Sequence, residues 1–140
     1  MPMKIIPFVL FAFLAFSPSA HAALPVTGKW MTQERDSIIE IGICGTTVCG
    51  RVHRVLKMMP NGQPPIDANN PDPSLRTRAV QGIYIFNGFT DGGTHWNGQL
   101  YDPKSGRSYK SKLTRNPDGT LKVQGCVGPF CKTFKWTAVK

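Results

Sequence analysis

The chain is predicted to be all-β, an antiparallel up-and-down barrel of about eight strands. Three observations carry that expectation. Short segments with alternating apolar residues recur along most of the sequence, turn residues punctuate them, and no segment sustains a helical period. Composition agrees: 14 Gly and 12 Pro in 140 residues suit a turn-rich domain, and 41% hydrophobic with 18% charged residues suits one packed core.

The first segment stands outside that domain. Lys4 precedes an apolar run from Ile5 to Phe16, followed by Ser17-Pro18-Ser19 and Ala20-His21-Ala22. This is the basic, apolar and small-residue order of a secretory signal, so residues 1–22 read as a cleaved leader and 23–140 as a single barrel domain. The run is shorter than the roughly 20 residues of a spanning helix, so the mature chain is not expected to be transmembrane. The expected location is periplasmic or secreted. In an oxidising compartment, Cys44, Cys49, Cys126 and Cys131 read as two disulfides rather than a four-thiolate metal site.

Expected strands cover 27–32, 37–44, 49–56, 82–87, 94–101, 107–114, 120–126 and 132–139. Gly45, Asp91-Gly92-Gly93, Asp102-Pro103-Lys104-Ser105-Gly106 and Asn116-Pro117-Asp118-Gly119 supply the turns. Three hairpins have a register that sorts apolar residues onto one face. Placing Cys44 opposite Cys49 pairs Ile43 with Gly50, Ile41 with Val52, and Ile39 with Arg54. Placing Cys126 opposite Cys131 pairs Val123 with Phe134 and Leu121 with Trp136. Placing Asp102 opposite Arg107 pairs Leu100 with Tyr109, Gly98 with Ser111, and Trp96 with Leu113. These registers favour Cys44–Cys49 and Cys126–Cys131 as the bridges. One-sided burial in every hairpin is what a closed barrel requires, although a two-sheet sandwich alternates similarly.

The exception is 57–81, a long loop with prolines at 60, 64, 65, 71 and 73. It reads as a strap across one barrel end, with Asn70 capping a helical turn that starts at Pro71 and Leu75 as a plug. Its Asp67, Asn69, Asn70 and Asp72 read as turn formers and caps, and no metal or cofactor is expected.

Gly28-Lys29-Trp30 in the first strand, with Trp136 in the last, resembles the opening of lipocalin-like and avidin-like barrels. A closer resemblance runs along nearly the whole domain. It includes Cys44-Gly45 to Cys49-Gly50-Arg51-Val52, Asn70-Pro71-Asp72-Pro73-Ser74-Leu75-Arg76-x-Arg78, Trp96-x-Gly98-x-Leu100-Tyr101-Asp102-Pro103 and Gly125-Cys126 to Trp136. Together these resemble the domain of unknown function 2147 family of small secreted bacterial proteins. The resemblance implies compartment and fold, and carries no activity across.

Function must therefore come from side-chain placement. The domain holds His53 and His95 but no set of nucleophile, base and orienting group, so no catalytic residues are assigned and an enzyme is not expected. Trp30, Trp96, Tyr109, Phe134 and Trp136 are expected to face inward, with Gly50, Gly98 and Ser111 leaving room beside them. Arg54 at one end, and Arg76 and Arg78 on the strap, are placed to receive a carboxylate or phosphate. These eight aromatic and arginine residues form the candidate binding set for a small apolar or amphiphilic anionic ligand, if the barrel is hollow rather than filled. The formal charge of +9 also suits an anionic envelope surface, whereas nucleic acid is not expected as a partner. The competing class is a protein-interaction module. Ala23-Leu24-Pro25-Val26 is then an arm like that of small exported barrels that inhibit metalloproteases.

Overall fold

The computed structural model describes residues 2, 11–18 and 21–140; residues 1, 3–10, 19 and 20 of the expected leader lie outside the described residues. Among the described residues, no helix is long and apolar enough to cross a membrane. The described residues form eight successive strands: β1 (Gly28–Met31), β2 (Ser37–Cys44), β3 (Thr47–Val55), β4 (Tyr84–Asp91), β5 (Trp96–Asp102), β6 (Arg107–Arg115), β7 (Leu121–Val127) and β8 (Phe130–Val139). Each pairs with the next and β1 returns to β8, giving a closed barrel rather than a sandwich. The β2–β3, β4–β5 and β6–β7 turns gather at one end, called upper here, with the segment preceding β1. The remaining connections, including the long loop, gather at the lower end.

Two of the three expected hairpin registers are those of the structure, from Asp102–Arg107 to Trp96–Leu113 and from Cys126–Cys131 to Leu121–Trp136. The β2–β3 register differs by two residues. Cys44 lies opposite Thr47, Ile43 opposite Val48, and Ile41 opposite Gly50. A two-residue slip leaves every side chain on its original face, so hydrophobic pattern alone cannot distinguish the two pairings. The Cys44–Cys49 disulfide still forms, from diagonal positions with Cα atoms 5.8 Å apart, and Cys126–Cys131 closes the last hairpin.

Arg54 does not take an inward place. An irregularity between Ile38 and Ile39 gives β3 one extra residue, after which Arg54 pairs with Ile38 and is exposed while Val55 is buried. A second bulge extends β4 four residues beyond its expected end. The β4–β5 register shifts between Asn87 and Thr90, around Gly88 with φ +65°. The bulge lets Phe86 and Phe89, three residues apart, both lie fully buried.

Those two rings fill the barrel where glycines were expected to leave space. A methyl group at Gly50 would come within 2.8 Å of Phe86 Cδ2, and one at Gly98 would meet the Phe89 ring and the Asn87 carbonyl. Phe86 packs edge-on against Phe89 and tilted against Trp136, each at 5.4 Å between ring centroids. Trp30, Ile39, Ile41, Leu113, Leu121 and Val123 complete the core around them. Full burial of each phenylalanine is worth roughly 1.5–3 kcal/mol.

Gly125, inward on β7, is less crowded: a methyl there would meet Leu100 Cδ2 at 3.6 Å and Tyr109 Cβ at 3.9 Å. Urea unfolding should therefore separate the two glycines. Gly98→Ala is expected to lower stability by about 1–3 kcal/mol through overpacking, and Gly125→Ala to be nearly neutral. Equal losses at both positions would contradict the filled upper half.

Candidate functional site: the lower mouth of the barrel

The upper end is closed by the segment ahead of β1. Val26 is fully buried, and its carbonyl accepts a 2.9 Å hydrogen bond from Trp30 Nε1. The Leu24 carbonyl accepts another from Trp96 Nε1 at 2.9 Å, and the Arg115 guanidinium lies 4.9 Å from the Trp30 ring centroid. Residues 23–26 are thus a docked plug, unlike the free arm that the competing protein-interaction reading would need. The reason is the apolar Val26 side chain, which finds its burial inside this barrel. A shallow cleft of about 380 Å³ beside the plug is lined by Leu24, Pro25, Arg115, Asn116, Pro117 and Gly119.

At the lower end the strap lies over the β3–β6 side. Its short helical turn is Pro73–Leu75, capped by Asp72 through Ser74 N at 2.9 Å, two residues later than expected from Asn70 and Pro71. Asn70 instead has its Nδ2 on Asp67. Leu75 does not plug the barrel; Val80 on the returning arm packs against the core. The clasp is Asp67, fully buried, which accepts from Tyr101 Oη at 2.5 Å, Asn70 Nδ2 at 2.8 Å and Arg78 Nε at 2.9 Å. Asn69 Nδ2 reaches the Lys104 carbonyl at 2.7 Å, and Lys104 Nζ bridges Glu34 and Asp36, each at 2.7 Å.

The clasp has a pH signature. Burial pushes the Asp67 carboxyl up, but hydrogen bonds from Tyr101, Asn70 and Arg78, with the Arg78 charge, outweigh it and hold the group below its ordinary 3.8. Burial, reinforced by the hydrogen bond to Asp67 and its charge, pushes the Tyr101 hydroxyl up to about 12.

The β6–β8 side of the same end is not covered in this way. The β6–β7 ladder stops at Lys110–Cys126, while Arg107–Tyr109 continue on β5 and Val127 continues on β8. The strands part there around an open cleft of about 550 Å³, lined by Arg107, Ser108, Tyr109, Lys110, Cys126, Val127 and Gly128. By alternation, the inward row of this quarter comprises Leu100, Tyr109, Gly125, Val127, Phe130, Lys132 and Phe134. Leu100, Tyr109 and Phe134 are half-buried, whereas Val127 is 67% and Phe130 80% exposed. Lys132 Nζ stands 5.1 Å from the Phe134 ring centroid. Deeper in, between Gly98 and Gly125, Ser111 Oγ is buried without a hydrogen-bond partner among the described residues. The mouth therefore combines apolar walls, cationic rim residues and one inner hydroxyl.

The eight expected binding residues divide among different places. Tyr109 and Phe134 stand at this mouth. Trp30 and Trp136 belong to the filled core, and Trp96 holds the plug at the other end. Arg54 is on the exposed exterior, Arg76 Nε is bonded to the Asn70 carbonyl at 2.8 Å, and Arg78 is committed to Asp67. Arg107, Lys132, Val127 and Phe130 were not singled out from the sequence. Counting by twos from Tyr109 and Phe134 along the two correct registers places them on the same rows.

Architecture and site define a small antiparallel barrel, plugged above and flared below, of the lipocalin-like kind. The chain belongs to the family described as "Uncharacterized protein conserved in bacteria (DUF2147)", which it matches over residues 28–138. Among solved structures it is similar to protein HP1028 from the human pathogen Helicobacter pylori, described as belonging to the lipocalin family. The TM-score is 0.73 at 21% identity, covering 84% of this chain and 85% of that one, a likeness of fold. No curated protein matches the chain.

Asp67→Asn should test the clasp. At neutral pH it is expected to cost about 2 kcal/mol in urea unfolding. Because the folded carboxyl is depressed, this advantage is complete above the unfolded value near 3.8 and disappears as pH falls through the lower folded value. A wild-type advantage that persists unchanged at the acid limit would rule the carboxylate out as its source.

Proposed function

We propose that the protein is a non-catalytic binder of small amphiphilic anions in the cell envelope, and that the lower mouth is the binding site. The observation that carries this reading is the cleft lined by Arg107, Tyr109, Lys110 and Val127, with Leu100, Phe130, Lys132 and Phe134 on the neighbouring inward rows of the same end. An alkyl or aryl body suits the walls, and a carboxylate, sulfate or phosphate head suits the rim. The wall at Gly125 is less crowded than the barrel centre, and Ser111 Oγ offers a donor to a polar atom that reaches it. The family membership and the lipocalin-like fold are consistent with ligand binding and specify no ligand.

Other features favour this reading over its competitors. His53 lies outside beside Glu40 at 3.8 Å, and His95 bonds Thr94 Oγ1 at the upper end, so neither histidine serves the mouth. The docked plug weighs against an inhibitory arm. On the outer wall, Lys122 and Lys135 lie toward the upper β6–β7 turn, where Lys135 pairs with Asp118 at 3.4 Å, whereas Lys110 and Lys112 of β6 extend the positive field from the cleft. In this reading Lys110 and Lys112 steer anions toward the mouth.

Calorimetric titration with dodecanoate, dodecylamine and inorganic phosphate tests the proposal. Dodecanoate is expected to bind, dodecylamine and phosphate to bind far more weakly, and the double variant Arg107→Glu/Lys132→Glu to lose about tenfold or more in dodecanoate affinity. Equal binding of the amine, or no heat with dodecanoate, would sink the anionic amphiphile reading.

A further inference from the structure

The backbone nitrogen of Ala23 sits astride the Asp91 carboxylate, 3.1 Å from Oδ1 and 3.2 Å from Oδ2. The contact joins residues 68 apart in sequence, and Ala23 is only 8% exposed. Gly93 N completes the carboxylate's set at 2.8 Å from Oδ1. Among the described residues, no lysine, arginine or histidine pairs with Asp91. An amide has one hydrogen and cannot direct it squarely at both oxygens. An ammonium has three, and its charge matches a carboxylate.

Ala23 is also the first residue after Ala20-His21-Ala22, the expected leader boundary. Hydrolysis of the Ala22–Ala23 amide adds one water, leaving a carboxylate on Ala22 and an amine on Ala23 that is protonated near neutral pH. We propose that Asp91 is the receptor for this new α-ammonium, so that leader removal creates the ion pair that fastens residues 23–26 into the upper end of the barrel. The inference rests on the leader reading of residues 1–22 and is independent of the ligand proposed for the mouth.

The surrounding contacts fit this role. Trp96 Nε1 holds the Leu24 carbonyl and Trp30 Nε1 holds the Val26 carbonyl, so the new terminus arrives with its next residues already aligned. Fully buried Val26 supplies the apolar anchor three residues on. Hydrogen bonds from Gly93 N and Ala23 N hold the Asp91 carboxyl below its ordinary value, which keeps it charged at neutral pH. With the leader attached, the same nitrogen is a neutral amide and the charge pair is missing. Processing thus tightens the plug without changing its route.

The test combines the mass of the exported protein with three purified forms: one starting at Ala23, the same chain Nα-acetylated, and one carrying a Gly-Ser extension. Each is made with Asp91 and with Asp91→Asn. The exported mass is expected to begin at Ala23. The free α-amine, followed through the Ala23 methyl resonance, is expected to titrate about one pH unit or more above its ordinary value near 8. Acetylation or extension is expected to lower Tm by about 4–8 °C. Asp91→Asn should lower it similarly in the free-amine form and far less in the blocked ones. An amine titrating at its ordinary value, or an equal effect of Asp91→Asn in all three forms, overturns the ion pair. A mature mass beginning elsewhere overturns the leader boundary instead, which separates the two failures.

Discussion

The whole architecture depends on two phenylalanine rings resting against two glycines. Phe86 over Gly50 and Phe89 over Gly98 occupy the middle of the barrel at distances no Cβ would tolerate. A sheet closed on itself with eight strands has a narrow interior, and its volume is either filled by side chains or left to a ligand. Here the bulge at Gly88 brings both rings inward from one strand, and they fill the upper and central part together with Trp30 and Trp136. The two clefts accordingly lie away from that filled centre, one beside the plug and one at the lower end against Arg107, Tyr109 and Val127.

The two ends are then secured by different physics. Above, an apolar plug is held by Val26 burial and by two indole N–H groups that satisfy otherwise isolated carbonyls. Below, the strap contributes little apolar surface and is held by a buried carboxylate with three donors, one of them charged. A buried charge is tolerable only when so compensated. This explains why Arg78 is committed to the strap rather than offered to solvent. It also leaves β6–β8 as the flank where the lower end can stay open.

Much of the fold was legible in the sequence because turn chemistry fixed the registers. The Pro103–Gly106 turn set β5 against β6, and the facing cysteines set β7 against β8. The β2–β3 hairpin was displaced by two because such a slip preserves both faces, and only turn length distinguishes the alternatives. Irregularities were not legible: the extra residue in β3 turned Arg54 outward, and Gly88 disguised the end of β4 as a break. The site was half legible for a related reason. Alternation told which side chains face inward, so Tyr109 and Phe134 stood out, but facing inward does not say how deep a residue lies or what already fills the space beside it. That decided between the core tryptophans and the mouth, and it depended on Phe86 and Phe89, whose joint burial required the unseen bulge.

The seam of the barrel has a kinetic meaning. β1 is four residues long and meets β8 only through Lys29–Val139, Trp30–Ala138 and Met31–Thr137. Those contacts join opposite ends of the chain, so they carry the largest loop-closure entropy in the molecule. Until the final strand has been synthesised, β1 and β7 are bare sheet edges with unpaired amides, open to pairing with any other extended chain. The ring can form only as a late, all-at-once event, which places this topology among the slow-folding, high-contact-order architectures. In the export reading of residues 1–22, such tardiness has an advantage: nothing tightly folded stands in the way before the last residues have passed.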